Sequence, residues 1–125
     1  MRATLDHMVL LVSDLSESAP WYDAFLPLLG FEKTRDHVYL HVDGWAVELR
    51  AAEPGTPAYG RYNPGLNHIG LNVADADTVM RVREMFAAKG FDVPEPQLFG
   101  GFATVIFFRD PDGMRWEVGY ITEPQ

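Results

Sequence analysis

The sequence predicts an α+β fold built from two tandem βαβββ modules, and three repeated landmarks carry that prediction. The run Leu5-Asp6-His7-Met8-Val9-Leu10-Leu11-Val12 returns as Leu66-Asn67-His68-Ile69-Gly70-Leu71-Asn72-Val73. In both, apolar residues alternate with others as in a half-buried strand, and histidine stands third. A Gly-Phe pair follows in each half, Gly30-Phe31 and Gly90-Phe91. Each half then closes on Asp-Gly and a glutamate before an apolar residue: Asp43-Gly44 to Glu48-Leu49, and Asp112-Gly113 to Glu117-Val118. Landmarks in the same order at similar spacing mark an internal duplication. The expected organisation is one domain over 1–125, with modules at 4–52 and 65–122 joined by a loop at 53–64.

Taken in order, the first strand is expected at 5–13, with Met8, Leu10 and Val12 on one face and Leu5, His7, Val9 and Leu11 on the other. Asp14-Leu15-Ser16-Glu17-Ser18 supplies helix-start chemistry, read as a serine cap and an acidic first turn, with Pro20 in that turn. The helix, 18–26, buries a stripe of Trp21, Tyr22, Phe25 and Leu26. Pro27 cannot continue it, so it tightens into a turn ending at Gly30. Strands follow at 31–35 and 38–42 around a turn at Asp36-His37, and Asp43-Gly44 leads into a fourth at 45–52. Pro54-Gly55, Pro57, Gly60 and Asn63-Pro64 make 53–64 a connector, and its Tyr59, Arg61 and Tyr62 are placed to cover a ligand or a partner chain. The second half repeats the plan: a strand at 66–73, then a helix capped by Asp75 or Asp77 and running to about 89. Val79, Val82 and Phe86 form its buried stripe, and Gly90 stands where a left-handed C-terminal glycine belongs. Strands are expected near 91–93, at 102–108 and at 114–121, the last two around the tight turn Asp110-Pro111-Asp112-Gly113.

Composition narrows the function classes. With 47 % hydrophobic residues, 125 residues can bury a core. There is no cysteine, so disulfides and thiolate metal sites are excluded. Met1-Arg2-Ala3-Thr4 runs directly into the first strand, and no apolar run approaches the roughly 20 residues of a membrane span. A cytoplasmic location without membrane association is expected. A net charge of −8 argues against nucleic acid, whose phosphates need cationic partners.

Strand alternation puts the candidate chemistry on one side. His68 shares its face with Gly70 and Asn72, Glu117 with Arg115 and Gly119, and Glu48 with Ala46 and Arg50. The opposite, more apolar faces want the helices, leaving a histidine and a glutamate of each half on the open face. Two nitrogens and two carboxylates without sulfur suit a divalent first-row metal that keeps an open position, as a catalytic ion requires. The bland alternatives are concrete. A strand histidine is commonly a solvated or hydrogen-bonded residue, and Glu48 beside Arg50 can simply be ion-paired. His37, in a turn, and His41 read as structural. Trp21, Tyr22, Trp45, Phe107, Phe108 and Trp116 read first as core, while Phe99, Phe102 and Tyr120 are candidates to line a ligand cavity. Arg50, Arg61 and Arg115 are candidates to read an anionic group, against the commoner fate of a solvated arginine.

Together these residues resemble the vicinal oxygen chelate superfamily, which includes glyoxalase I, fosfomycin and bleomycin resistance proteins, methylmalonyl-CoA epimerase and extradiol dioxygenases. The resemblance runs from Asp6-His7 to Tyr120. It rests on Asp6 through Leu15, Trp21-Tyr22, Leu29-Gly30-Phe31, Asn67-His68-Ile69-Gly70-Leu71, and Asp110-Pro111-Asp112-Gly113 running into Glu117. It implies paired βαβββ modules in a curved mixed sheet around a metal. It also implies His7, Glu48, His68 and Glu117 as ligands of one divalent ion (Ni, Co, Zn, Mn or Fe).

The fourth ligand leans the resemblance toward the glyoxalase I type. There the chain would be a lyase or isomerase acting on a small α-hydroxy-carbonyl or enediolate-forming substrate, with Glu117, and next Glu48, as catalytic base. A convincing set of glutathione-binding arginines and asparagine is missing, so a glutathionyl substrate is not implied. The alternatives are a ferrous ring-cleaving dioxygenase using His7, His68 and Glu117, for which His41 is a loose second-shell candidate, and a ligand-sequestering protein of the bleomycin-resistance type. The resemblance further implies a homodimer with shared active sites.

Overall fold

The computed structural model describes residues 1–122, and the chain divides into two compact units, Met1–Ala58 and Tyr59–Gln125. In the first, β1 (His7–Val12) leads into α1 (Leu15–Phe25), a 3₁₀ turn (Leu26–Leu29), β2 (Phe31–Arg35), β3 (Val38–His41) and β4 (Ala46–Ala51). Its four strands form a mixed sheet in the order β1-β4-β3-β2, with β1 parallel to β4 and the other neighbours antiparallel. In the second, β5 (His68–Asn72) leads into α2 (Ala76–Ala88), β6 (Gln97–Phe99), β7 (Ala103–Arg109) and β8 (Arg115–Ile121). The sheet order is β5-β8-β7-β6, again with one parallel pair, β5 with β8. The duplication legible in the sequence is therefore a duplication of topology, and the class is α+β.

Each unit buries one face of its sheet under its helix. In the first, Val12, Tyr22, Phe25, Leu26, Tyr39 and Val47 are at most 1 % exposed. Tyr39 Oη donates to Asp23 Oδ1 of α1 at 2.6 Å, and Lys33 of β2 pairs with the same carboxylate at 3.2 Å, fastening helix to sheet. In the second, α2 lies on β7 and β8, and Phe86 stacks on Phe91 at 4.8 Å and meets Phe108 edge-on. Phe86, Phe108 and Trp116 are wholly buried, and each such side chain contributes about 1.5–3 kcal/mol of transfer free energy.

The helix boundaries correct one expectation. α1 starts three residues before the expected 18, because Asp14 and not a serine is its cap. The Asp14 carboxylate accepts from Ser16 N at 2.9 Å and from Ser16 Oγ at 2.6 Å, which leaves Pro20 inside the helix and Ser18 buried. Asp75 caps α2, accepting from Thr78 N at 2.7 Å. A strand expected at 91–93 is absent. Pro94 and Pro96 lack backbone donors, and pairing begins only at Gln97. The turn at Asp36-His37 forms with His37 at φ 64°, and His37 O accepts from Leu49 N at 2.8 Å, a structural role. Gly30 closes the 3₁₀ turn at φ 89°. Among the described residues, no helix is long and apolar enough to cross a membrane.

Candidate metal-binding half-sites

Parallel pairing of the first and last strands of each unit sets the site. In the first unit the register places His7 opposite Ala46 and Val9 opposite Glu48. His7 and Glu48 thus share the open face, as alternation required. They line a depression of about 470 Å³ together with Asp6, Arg35 and Arg50. In the second unit His68 lies opposite Arg115 and Gly70 opposite Glu117. His68 Nε2 stands 3.9 Å from Glu117 Oε1, beyond hydrogen-bond reach, and both line a depression of about 280 Å³. Each unit therefore contributes one imidazole and one carboxylate to its exposed sheet face.

Both histidines are oriented in the same way, which the sequence reading did not recognise. His7 Nδ1 lies 2.8 Å from Asp6 Oδ2, and His68 Nδ1 lies 2.8 Å from Asn67 Oδ1. A carboxylate only accepts, so His7 carries its proton on Nδ1. Asn67 Nδ2 donates to Arg61 O at 2.9 Å, which fixes the amide with its oxygen toward His68. In the neutral form of either ring, the lone pair then falls on Nε2. Anchoring one ring nitrogen so that the other is free is how proteins prepare a metal-ligating histidine. The signal was present in the sequence as Asp6-His7 and Asn67-His68, a polar acceptor before each histidine.

The two glutamates differ. Glu48 accepts from Arg50 Nη2 at 2.7 Å. That hydrogen bond, with the charges of Arg50, Arg35 and His7, holds its carboxyl below the ordinary range despite some desolvation. Glu117 faces His68 and passes over Gly70, where an added Cβ would lie 3.1 Å from Glu117 Oε2. The glycine is what leaves the carboxylate its space. Phe107, expected in the core, instead pairs across strands with Glu117 on the open face and stands edge-on to His68 at 5.8 Å. His41 packs between Phe31 and Trp45, with centroids at 4.8 and 5.2 Å, as a structural ring. Phe99 and Phe102 are solvent-exposed.

The donors fit a divalent ion by chemistry: imidazole nitrogens on anchored rings, carboxylates beside them, and a glycine that opens room. Among the described residues, no three His, Asp or Glu side chains gather into a group that could hold a metal ion.

This fold is shared with known proteins. The chain belongs to the Glyoxalase/Bleomycin resistance protein/Dioxygenase superfamily, whose sequence profile matches residues 4–118. Among individual relatives, it is 30 % identical over 129 residues to the uncharacterised protein YqjT of Bacillus subtilis (strain 168), covering 91 % of this chain and 96 % of that one. Among solved structures, it is similar to a glyoxylase/bleomycin resistance protein/dioxygenase domain from Frankia sp. EAN1pec. The TM-score is 0.74 at 22 % identity, with 97 % of this chain and 99 % of that chain covered. It is also similar to a variant of the fosfomycin resistance protein FosX from Listeria monocytogenes, determined with Mn(II) and 1S,2S-dihydroxypropylphosphonic acid. There the TM-score is 0.67 at 18 % identity, covering 99 % and 93 % of the two chains.

Proposed function

We propose that this chain is a metal-dependent lyase or isomerase of the glyoxalase type. His7, Glu48, His68 and Glu117 would hold one divalent ion, and the substrate would be a small α-hydroxy-carbonyl or enediolate-forming molecule. The observation that carries the reading is the twin arrangement of the histidines, each with Nδ1 anchored by the preceding residue and Nε2 presented beside a glutamate. The ion would supply Lewis acidity toward neighbouring substrate oxygens, lowering the cost of negative charge developing there. Glu117 is the candidate base, because no cation closes on it as Arg50 closes on Glu48 among the described residues. Its carboxylate would take a proton from the substrate carbon and return it to the neighbouring position. His68 Nε2 and Phe107 flank that carboxylate and limit where a substrate lies.

Metal content of protein purified without chelator is the direct test, followed by thermal shifts with Ni, Co, Zn, Mn and Fe(II). Bound metal, and a stabilisation lost in His68→Ala, is the expected result. A chain that carries none and gains no stability from any of them ends the proposal.

One observation favours a second reading. Glu48 is already engaged by Arg50, so His7, His68 and Glu117 alone form the three-ligand set of a ferrous ring-cleaving dioxygenase. Full metal affinity in Glu48→Ala, with oxygen uptake on catechols after anaerobic iron loading, would select that reading. We also propose a homodimer with shared sites. The support is that β1 and β5, which carry the histidines, are edge strands of their sheets. Sedimentation equilibrium tests it.

A further inference from the structure

Three of the chain's ten lysines and arginines gather beside His68, although the net charge is −8. Arg115 lies opposite His68 in the β5–β8 pairing, and Arg109 lies opposite Arg115 in the β7–β8 pairing. Two arginines thus stand opposite each other across an antiparallel pair, a like-charge pairing that is unfavourable unless something negative lies near them. Arg61 joins them from the preceding loop. That loop is tied to the start of β5 by Tyr59 Oη, which donates to Leu66 O at 2.6 Å, and by the Asn67 amide, which donates to Arg61 O.

None of the three forms an ion pair among the described residues, although Arg109 lines a depression with Asp92. The long cationic side chains that do form ion pairs among the described residues are Lys33, Arg50 and Arg83. Arg61 Nε is buried without a hydrogen-bond partner. A buried, unpaired donor on a permanently charged group is costly, and it marks a place prepared for an acceptor. The charges of Arg61 and Arg109 are both felt at Arg115, which places the three close together. Arg115 is held over the Phe107 ring at 5.7 Å and Arg61 over the Tyr62 ring at 4.6 Å, aromatic faces that position guanidinium planes without neutralising them.

We propose that Arg61, Arg109 and Arg115 form an oxyanion-binding subsite beside His68, reading a phosphate or carboxylate group on the substrate. This deepens the metal-enzyme reading and rests on it only for the claim that the anion is part of the substrate. The binding itself needs no metal. Planar guanidinium forks suit either oxyanion, and a doubly charged phosphate would satisfy more of the three than a single carboxylate.

The test is an NMR titration of the ¹⁵N-labelled full chain, stripped of metal with chelator and then dialysed free of it, following the arginine Nε–H signals. Inorganic phosphate, acetate and chloride are added separately at matched ionic strength. Saturable shifts of the Arg61 and Arg115 signals with phosphate or acetate, absent with chloride, are expected, and the tighter of the two identifies the group. Arg115→Gln and Arg61→Gln should each weaken binding more than tenfold, while Arg81→Gln, on exposed α2, leaves it unchanged. Identical non-saturating shifts with all three salts, or binding retained in both folded variants, overturns the subsite. Because the titrated protein is metal-free, failure here leaves the metal reading standing, and failure of the metal test leaves this one standing.

Discussion

A single methyl group at position 70 would report on Glu117. Gly70 has room for no side chain without crowding, since its Cβ would stand 3.1 Å from Glu117 Oε2. The carboxylate must then swing by a few tenths of an ångström. Gly70→Ala is therefore expected to keep the fold and to weaken divalent-metal affinity by about tenfold, comparable to losing an orienting contact around a ligand. Calorimetric titration with the metal that gives the largest thermal shift measures it. Unchanged affinity would mean that Glu117 does not touch the ion. How much of the site was readable follows from the same geometry. Side-chain alternation with a period of two is strict in a strand, so His7, Glu48, His68 and Glu117 could be assigned to one face of each sheet from the sequence alone. The roles of Asp6 and Asn67 depend on side-chain torsions of adjacent residues, which alternation does not encode. Phe107 was misplaced because an aromatic in an apolar strand reads as core until cross-strand partners are known. Here the partner is Glu117.

At the scale of elements, the tie between β3 and α1 carries a pH dependence. Burial first, and then the hydrogen bond to Asp23 and its charge, push the Tyr39 phenol well above its ordinary value. The folded chain therefore keeps that proton to higher pH than the unfolded chain. The stabilisation is complete below about pH 10, where tyrosine ordinarily ionises, and is lost as pH climbs toward the raised value. Tyr39→Phe should cost about 1–2 kcal/mol at pH 7, since a buried hydroxyl loses a partly exposed, charged acceptor. Urea melts at pH 7 and pH 11 test it. The gap between wild type and variant should narrow at the higher pH, and a gap constant across both would show that Tyr39 does not titrate with folding. Elements were readable where local chemistry decides them. Gly30 and Gly90, at φ 89° and 93°, ended their helical segments as expected, and Asp75 capped α2. The reading failed where two local signals compete. Asp14 and Ser16 are both good caps, and the structure resolves the contest by having Ser16 donate to Asp14. Phe91 to Val93 look β-prone, but the prolines at 94 and 96 interrupt the ladder, and Phe91 serves better stacked on Phe86.

At the scale of the whole molecule, duplication gives two units that each own a helix, a four-stranded sheet and half of a proposed ligand set. A single ion held by both halves behaves differently from two weak, independent sites. Removing one half-set, as His7→Ala with Glu48→Ala, should cost at least a hundredfold in affinity. Removing the other, His68→Ala with Glu117→Ala, should cost as much. Combining all four should add little, because groups acting on one ligand are not additive. Independent sites would instead give two ions per wild-type chain and additive losses. The same two double variants test whether the proposed homodimer shares its sites. Mixed by unfolding and refolding together, they form heterodimers in which one chain keeps only the first half-set and the other only the second. If a site draws on both chains, each mixed dimer regains one intact site, and metal binding returns at wild-type affinity with reduced stoichiometry. If each chain completes its own site, every site in the mixture lacks two ligands, and no affinity returns.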